Sequence, residues 1–492
     1  MEVVDLGAKP GSGRSRLAPP FAAIGAATAA LAAITAALLQ IPGFNGPAEW
    51  RWPYRPIGLA PLPALAAVLC AGALVALVLY GPAGRRGAVW LSLVGYGFTL
   101  SLLAAQPGGF GRVVTVLASR HSFSYLYDAA LAPPEGELLA NFPAASAGLS
   151  MHSRTHPPGV LLAIRGLDRV ARALGPAGAL GTSLFRKAAE AFAEESSRAR
   201  ERGKAVPAIP PSPWTPVLLA FLLPLAAAAA ALPLYGLGLG WGLSDGAARF
   251  GAALWLMVPA GVLFTPSVDQ ALVLFPLVGA ALALGAEKRL AVLAAGVVVA
   301  LGCLLSYGLL VAVPFVAWVA FSAGEDLSWL APRRFVRAAL VGVGFALPWV
   351  ALALFAGYDP WTSFRTAISA HREMAVETRS YATWLLGNPY DFALFCGPAV
   401  AVLGAVGLVS RRVPAALRRG LLGGAILFAL LWLSGSVRGE VGRIWLFAMP
   451  FVVLAAAAFD SSESPSNARR ALLVAAQALT TIALAASMIF VD

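Results

Sequence analysis

Runs of apolar residues long enough to cross a bilayer constrain this chain more than any motif in it. A hydrocarbon core about 30 Å thick takes roughly 20 residues of helix per crossing, because a helix satisfies its own backbone hydrogen bonds where water is absent. Such runs lie near residues 21–41, 62–81, 87–105, 216–235, 248–264, 268–285, 290–305, 306–322, 336–356, 393–410, 420–434, 444–459 and 470–490. Hydrophobic residues make up 59% and charged residues 12%, with a mean hydropathy of +0.77, which leaves too little polar surface for a soluble fold. The expectation is an all-α polytopic membrane protein of about 13 transmembrane helices, with residues 1–492 forming one transmembrane domain. The division between 290–305 and 306–322 rests on a short polar break from Cys303 to Gly308.

Basic residues orient this stack, since Lys and Arg in short loops stay on the cytoplasmic side. Lys9, Arg14 and Arg16, Arg85 and Arg86, Lys288 and Arg289, Arg333, Arg334 and Arg337, Arg411, Arg412, Arg418 and Arg419, and Arg469 and Arg470 all fall on the N-terminal side of the expected stack. That predicts a cytoplasmic N-terminus in a bacterial plasma membrane. The net charge of +12 then reflects topology and contact with anionic lipids, and calls for no nucleic-acid partner. The run at 21–41 follows a basic tail, as a secretory signal would, but no convincing cleavage site precedes Pro42, so it reads as a retained span. Cys70, Cys303 and Cys396 lie in or beside spans without metal-ligand spacing and read as small apolar residues.

With this topology, residues 42–61, about 106–215, 265–267, 357–392 and 435–443 face outward. The long outer loop, 106–215, carries an interfacial amphipathic helix: Leu161, Leu162, Ile164, Leu167, Val170 and Leu174 recur at helical spacing against Arg165, Asp168, Arg169 and Arg172. Phe185 to Lys204 reads as a solvated helix or a linker, and Pro207, Pro210, Pro211 and Pro213 punctuate the return to the membrane. All four histidines, His121, His152, His156 and His371, fall in the two large outer loops, 106–215 and 357–392. No need of the spans places them there; hydrogen bonding to loop backbone is the plainer alternative to a chemical role.

The element SMHSRTHPPG, Ser150 to Gly159, resembles the histidine-proline-proline element in the first large outer loop of GT-C glycosyltransferases. These are the protein mannosyltransferase, aminoarabinose transferase and arabinosyltransferase-like enzymes that use polyprenyl-phosphate sugars. An acidic residue precedes the element in that superfamily, and Asp128 in SYLYDAAL occupies the comparable place. The family's adjacent acidic pair is here Asp128 followed by Ala129 and Ala130, which leaves a divalent metal as an open possibility and implies no other cofactor. Two spans precede the one leading into this loop, and FNGPAEWRWPYRP at 44–56 has no counterpart role.

The resemblance implies transfer of a sugar from a polyprenyl-phosphate donor to a hydroxyl of a glycan, lipid or protein acceptor on the outer face, with inversion. Such transfer needs a base for the hydroxyl proton and cations for the departing phosphate. Asp128 is the candidate base; its alternative role is helix capping. Arg438 and Arg443, flanking Glu440 in SGSVRGEVGRIW, are the candidate phosphate clamp with Arg379; their alternatives are snorkelling anchors and a salt bridge from Arg379 to Glu373 or Glu377. His156, Arg154, His371, Arg372 and Tyr381 are candidate pocket or acceptor contacts, Trp384 a belt aromatic, and Asp269 either a further contact or a cap. A transporter or flippase of a lipid-linked sugar is the alternative from another class, and a non-catalytic assembly subunit a third. Against transport stands the near absence of charged residues within the spans, since a transport path needs polar groups at the midplane.

Overall fold

The computed structural model describes residues 18–175, 179–285, 288–324, 329–461 and 466–490. Lys9, Arg14 and Arg16 of the charge argument lie outside them. The regular structure of the described residues is helical, with one isolated bridge between Tyr54 and Met488. Seven helices are long and apolar enough to cross a membrane: Phe21–Leu38, Pro61–Tyr80, Gly84–Ala105, Trp214–Gly240, Pro332–Ala356, Ala415–Leu433 and Asn467–Ser487. Tyr381–Cys396 and Pro398–Val409 add an eighth if that pair, bent by 108°, is one span. The chain is thus a helical protein with the makings of a polytopic membrane protein. The remaining expected runs, 248–264, 268–285, 290–305, 306–322 and 444–459, fold into shorter apolar helices.

Large apolar side chains such as Leu62, Leu354, Phe355, Leu386 and Val409 stand exposed on the outside of the bundle, where a lipid phase would cover them. Between helices, small residues allow close approach. A Cβ on Gly296 would sit 2.1 Å from the Val341 carbonyl oxygen, and one on Gly344 would sit 2.0 Å from that of Leu293.

The shorter helices are tolerated because buried polar side chains satisfy the backbone where it breaks, a necessity where water is absent. Gln270, fully buried, donates to the Gly261 carbonyl at 2.8 Å and also to Thr265 Oγ1. Thr481 Oγ1 donates to the Met257 carbonyl at 2.7 Å, beside the break before Pro259. Gln477 Nε2 reaches the Cys396 carbonyl at 2.8 Å, at the sharp bend before Pro398.

Charged side chains gather at the two ends of the bundle. At one end, Asp245 accepts from Gly84 N, Tyr235 Oη and Arg249 Nε, and Asp460 binds Arg469 Nε at 2.6 Å and Arg470 Nε at 2.8 Å. The other end carries the candidate site; the first five helices of the chain are α1 (Ala18–Leu38), α2 (Pro61–Tyr80), α3 (Gly84–Ala105), α4 (Gly109–Ala118) and α5 (Tyr125–Leu131), the last of which supplies Asp128. The 106–215 segment is mostly helical, including Gly159–Ala173 and Ala179–Glu201, and the latter buries Ala188 and Phe192. Residues 357–392 are helical over Pro360–His371 and from Tyr381 onward.

Candidate functional site

α5 begins the site. Its Asp128 is 0% exposed and caps the short Met151–Arg154 helix. Its carboxylate accepts from Ser150 N at 3.3 Å, from Ser153 Oγ at 2.6 Å and from Ser150 Oγ. Ser150 Oγ lies 2.6 Å from Ser124 Oγ, which lies 3.4 Å from His152 Nδ1. A serine relay therefore joins the enclosed carboxylate to an imidazole that is itself only partly buried. α5 is anchored by Arg165, whose guanidinium donates to the carbonyls of Ala129 at 2.7 Å, Pro133 at 2.8 Å and Ala132.

His156 packs edge-on against Tyr125, ring centroids 5.7 Å apart, and its Nδ1 is 2.8 Å from the His152 carbonyl oxygen. A carbonyl only accepts, so Nδ1 carries the proton and Nε2 of the neutral ring is an acceptor. Burial pushes the His156 pKa down to about 4. His152 is lowered too, by burial and then by the Arg443 cation, against the opposing pull of Glu440 and Asp128. The Tyr125 hydroxyl, 3.3 Å from His156 Nδ1, is raised by burial and by the nearby Asp269 charge.

The facing wall is the 435–443 loop. Arg379 NH2 binds Glu440 Oε1 at 2.9 Å, Arg443 NH2 binds Glu440 Oε2 at 3.0 Å, and Arg443 Nε approaches Asp269 Oδ2 at 3.8 Å. That last separation is an ion pair too long for a hydrogen bond, and Arg443 Nε is a buried donor with no hydrogen-bond partner among the described residues. Burial works against the Arg443 cation, but Glu440 and Asp269 outweigh it and hold its pKa above the usual range. Glu440 is pushed up by burial and pulled further down by Arg443 and Arg379, ending below the ordinary carboxylate range. Its backbone is left-handed, φ 57°, a conformation costing a non-glycine residue about 1–3 kcal/mol. The preceding Gly439 has φ 87°, and a Cβ there would lie 2.7 Å from Arg379 NH1.

Three residues not singled out from the sequence hold this wall. Asn388 donates to the Val437 carbonyl at 2.8 Å and accepts from Gly439 N at 2.9 Å. Asp391 accepts from Gly442 N at 2.8 Å and from Trp52 Nε1 at 3.1 Å. Glu49, in the segment without a counterpart role, accepts from Ser380 N, Thr383 Oγ1 and Trp384 Nε1 at 3.0, 3.2 and 3.1 Å. Trp384 is thereby buried inside the protein, and Trp50 stacks under Arg379, 4.7 Å from guanidinium carbon to ring centroid.

Asp128, His152, His156, Asp269, Glu440, Arg443 and Arg379 thus gather from four separated segments. Other candidates lie at the edges of this group. Arg438 donates to the carbonyls of Gly435, Val376 and Arg379 and lies over Tyr381, so these contacts tie loop to loop. Tyr381 Oη donates to the Leu433 carbonyl at 2.8 Å, and His371 Nε2 lies 2.8 Å from that of Ser436. Arg372 is exposed, and Arg154 is partly buried at the end of the Met151–Arg154 helix. Asp269 takes a hydrogen bond from Ser267 Oγ at 2.6 Å. Among the described residues no three His, Cys, Asp or Glu side chains lie close enough to share a metal ion.

No family model matches the chain, and no match is found among curated proteins. A crystal structure of the Archaeoglobus fulgidus oligosaccharyltransferase, in complex with zinc and sulfate, superposes with a TM-score of 0.33 at 15% identity, covering 61% of this chain and 44% of that one. The chain spans less than half of that protein's length, and a likeness at this level carries no argument about fold or activity.

Proposed function

We propose that this chain is a membrane glycosyltransferase of GT-C type, moving a sugar from a polyprenyl-phosphate donor to an acceptor hydroxyl at the outer face of a bacterial plasma membrane, its N-terminus cytoplasmic. One observation carries the reading: the unpartnered, buried Arg443 Nε–H belongs to a cluster that also holds a neutral, partly accessible histidine backed by a carboxylate. A cationic donor lacking an acceptor fits a phosphate oxygen, and a neutral imidazole fits a hydroxyl proton.

The proton-accepting atom in this reading is His152 Nε2. Asp128 is too enclosed to touch an acceptor, and its charge reaches the histidine through the serines. Ser150 gives its one hydroxyl proton to Asp128 and accepts from Ser124, which accepts from His152 Nδ1–H, so Nε2 keeps its lone pair. The acceptor oxygen bonds to the sugar's anomeric carbon as its proton passes to Nε2. The bond from that carbon to the donor phosphate oxygen breaks, and its electron pair leaves with the phosphate. Arg443 meets the growing phosphate charge, while Glu440 and Asp269 fix the guanidinium, an arrangement of preorganised charge. Arg379 and Arg438 hold the wall in place, and His156, Arg154, His371, Arg372 and Tyr381 border the acceptor side. The described side chains form no group of three metal ligands that would hold a divalent metal, and the Asp128 carboxylate is already taken up by Ser150 and Ser153.

The test uses purified protein in nanodiscs with a labelled polyprenyl-phosphate sugar and a hydroxyl acceptor. Label should move to the acceptor in wild type and fail to do so in His152→Gln and Arg443→Gln that fold normally. Full transfer by both variants would overturn the assignment, and passage of intact donor across the bilayer without cleavage would favour a flippase.

A further inference from the structure

A second polar recess lies beside the cluster, across the Thr265–Asp269 turn. It is formed where α3 ends and α4 begins, in the stretch QPGGFGR from Gln106 to Arg112. Gln106, Gly109, Arg112 and Thr265 supply its polar lining, with Leu103 and Leu263 among the apolar lining residues. None of the lining residues is an Asp or Glu.

Two independent features mark it. The first is geometric: Gly108 and Gly109 have φ +80° and +51°, turning the chain so that α4 starts against the recess. A helix start presents backbone N–H groups and the positive end of the helix dipole to whatever lies before it. The second is an unanswered donor: Gln106 is 8% exposed, and its Nε2 finds no hydrogen-bond partner among the described residues. A buried amide left unsatisfied costs about 1–3 kcal/mol, so the site carries a standing demand for an acceptor.

Positive charge is concentrated around it. Arg112 lines the recess, and Arg55 lies close enough to feel it: burial, then the Arg112 cation, hold Arg55 below its usual pKa range. Arg55 Nε is likewise buried without a partner among the described residues, although the guanidinium also donates to the Ala485 carbonyl. Two cations thus stand close together beside the recess, and an anion placed there would ease their mutual repulsion.

We propose that this recess is an anion site that takes a phosphate oxygen, with Gln106 donating to it and the start of α4 and Arg112 supplying positive charge. Its depth has room for about one water-sized group, so an oxygen of the phosphate enters and the rest of the headgroup stays at the mouth. The site lies at the same end of the bundle as the transfer cluster but shares no residue with it. It therefore stands whether or not sugar transfer does.

The experiment measures the thermal unfolding midpoint of the full-length, delipidated protein. One arm titrates inorganic phosphate against chloride at equal ionic strength; the other exchanges phosphatidylglycerol for neutral diacylglycerol in nanodiscs. At least one probe should raise the wild-type midpoint, and a response to phosphate alone or to lipid alone identifies the source. Gln106→Leu, close in size and free of the orphan amide, should weaken the response about tenfold while folding at least as well, and Arg112→Gln should weaken it further. No response in wild type, or an equal response in wild type and Gln106→Leu, would overturn the proposal. Loss of sugar transfer with this response intact would count against the preceding function and leave the anion site standing.

Discussion

Asp128 separates a carboxylate that only caps a helix from one that also sustains a base, and two substitutions tell the roles apart. In Asp128→Ala, Ser150 N–H and the hydroxyls of Ser150 and Ser153 lose their shared acceptor in a fully buried place. With about 1–3 kcal/mol for each unsatisfied group, less what the hydroxyls recover by rotating, the loss should be roughly 3–5 kcal/mol. Asp128→Asn keeps an oxygen where those bonds converge but gives up the charge that strengthens them, and it turns an NH2 toward Ser150 N–H. Its cost should be about 1–2 kcal/mol. Chemical unfolding in detergent measures both. The Asn variant should also lose about tenfold or more of transfer rate. Because Asp128 pulls the His152 pKa up, its neutralisation should move the acid limb of the pH–rate profile to lower pH. An Asn variant that is merely less stable, with rate and acid limb unchanged, would refute the relay and leave Asp128 a cap.

The remaining predictions concern the same end of the molecule. Glu440→Gln leaves Arg379 and Arg443 without their shared carboxylate and should cost about 1–3 kcal/mol, discounted for their partial exposure; a smaller change in unfolding free energy than in Glu377→Gln would contradict the bridge. His152 and His156 have lowered pKa values, so below the ordinary imidazole value of about 6.5 the unfolded chain binds more protons than the folded one. Stability should therefore fall as pH drops from about 6.5 toward the lowered values, and a melting curve flat over that window would show that the rings are not held neutral. Glu49→Ala removes the acceptor for Ser380 N, Thr383 and Trp384. It should speed amide exchange at residues 380–384 and leave 125–131 unchanged, whereas uniform exchange would show no local staple.

The parts of this fold that were legible in the sequence are those with a one-dimensional signal. Apolar runs mark helices, and Asp128, Arg379, Glu440 and Arg443 stand out because they fall in the few expected outer loops between such runs. The count of membrane crossings was not legible. A run such as 248–264 looks like a span by composition, yet its backbone breaks after Leu256, where buried Thr481 donates to the Met257 carbonyl. Such repairs depend on partners distant in the sequence. Asn388 and Asp391 were hidden for the same reason: they sit in the apolar stretch YATWLLGNPYDFALFC, and only the packed loop reveals that each receives a backbone N–H. Glu49 carries no local mark of the loop it holds. His152 appeared as one loop histidine among four, and what distinguishes it is its place at the end of a serine chain that no spacing announces. QPGGFGR was not singled out from the sequence either, because glycines ahead of a helix mark a site only once a buried, unanswered Gln106 is seen beside them.

In the proposed reaction a cation and a neutral base at one end of the bundle cleave a lipid-phosphate sugar. Its most direct test is a single-turnover measurement with purified protein in excess over a labelled polyprenyl-phosphate sugar, following release of free polyprenyl phosphate in step with labelled acceptor. Wild type should release it stoichiometrically, and Arg443→Gln should do so at a rate lower by about a hundredfold or more. Donor lipid that stays bound and intact in wild type, with a full acceptor supply, would contradict this reaction.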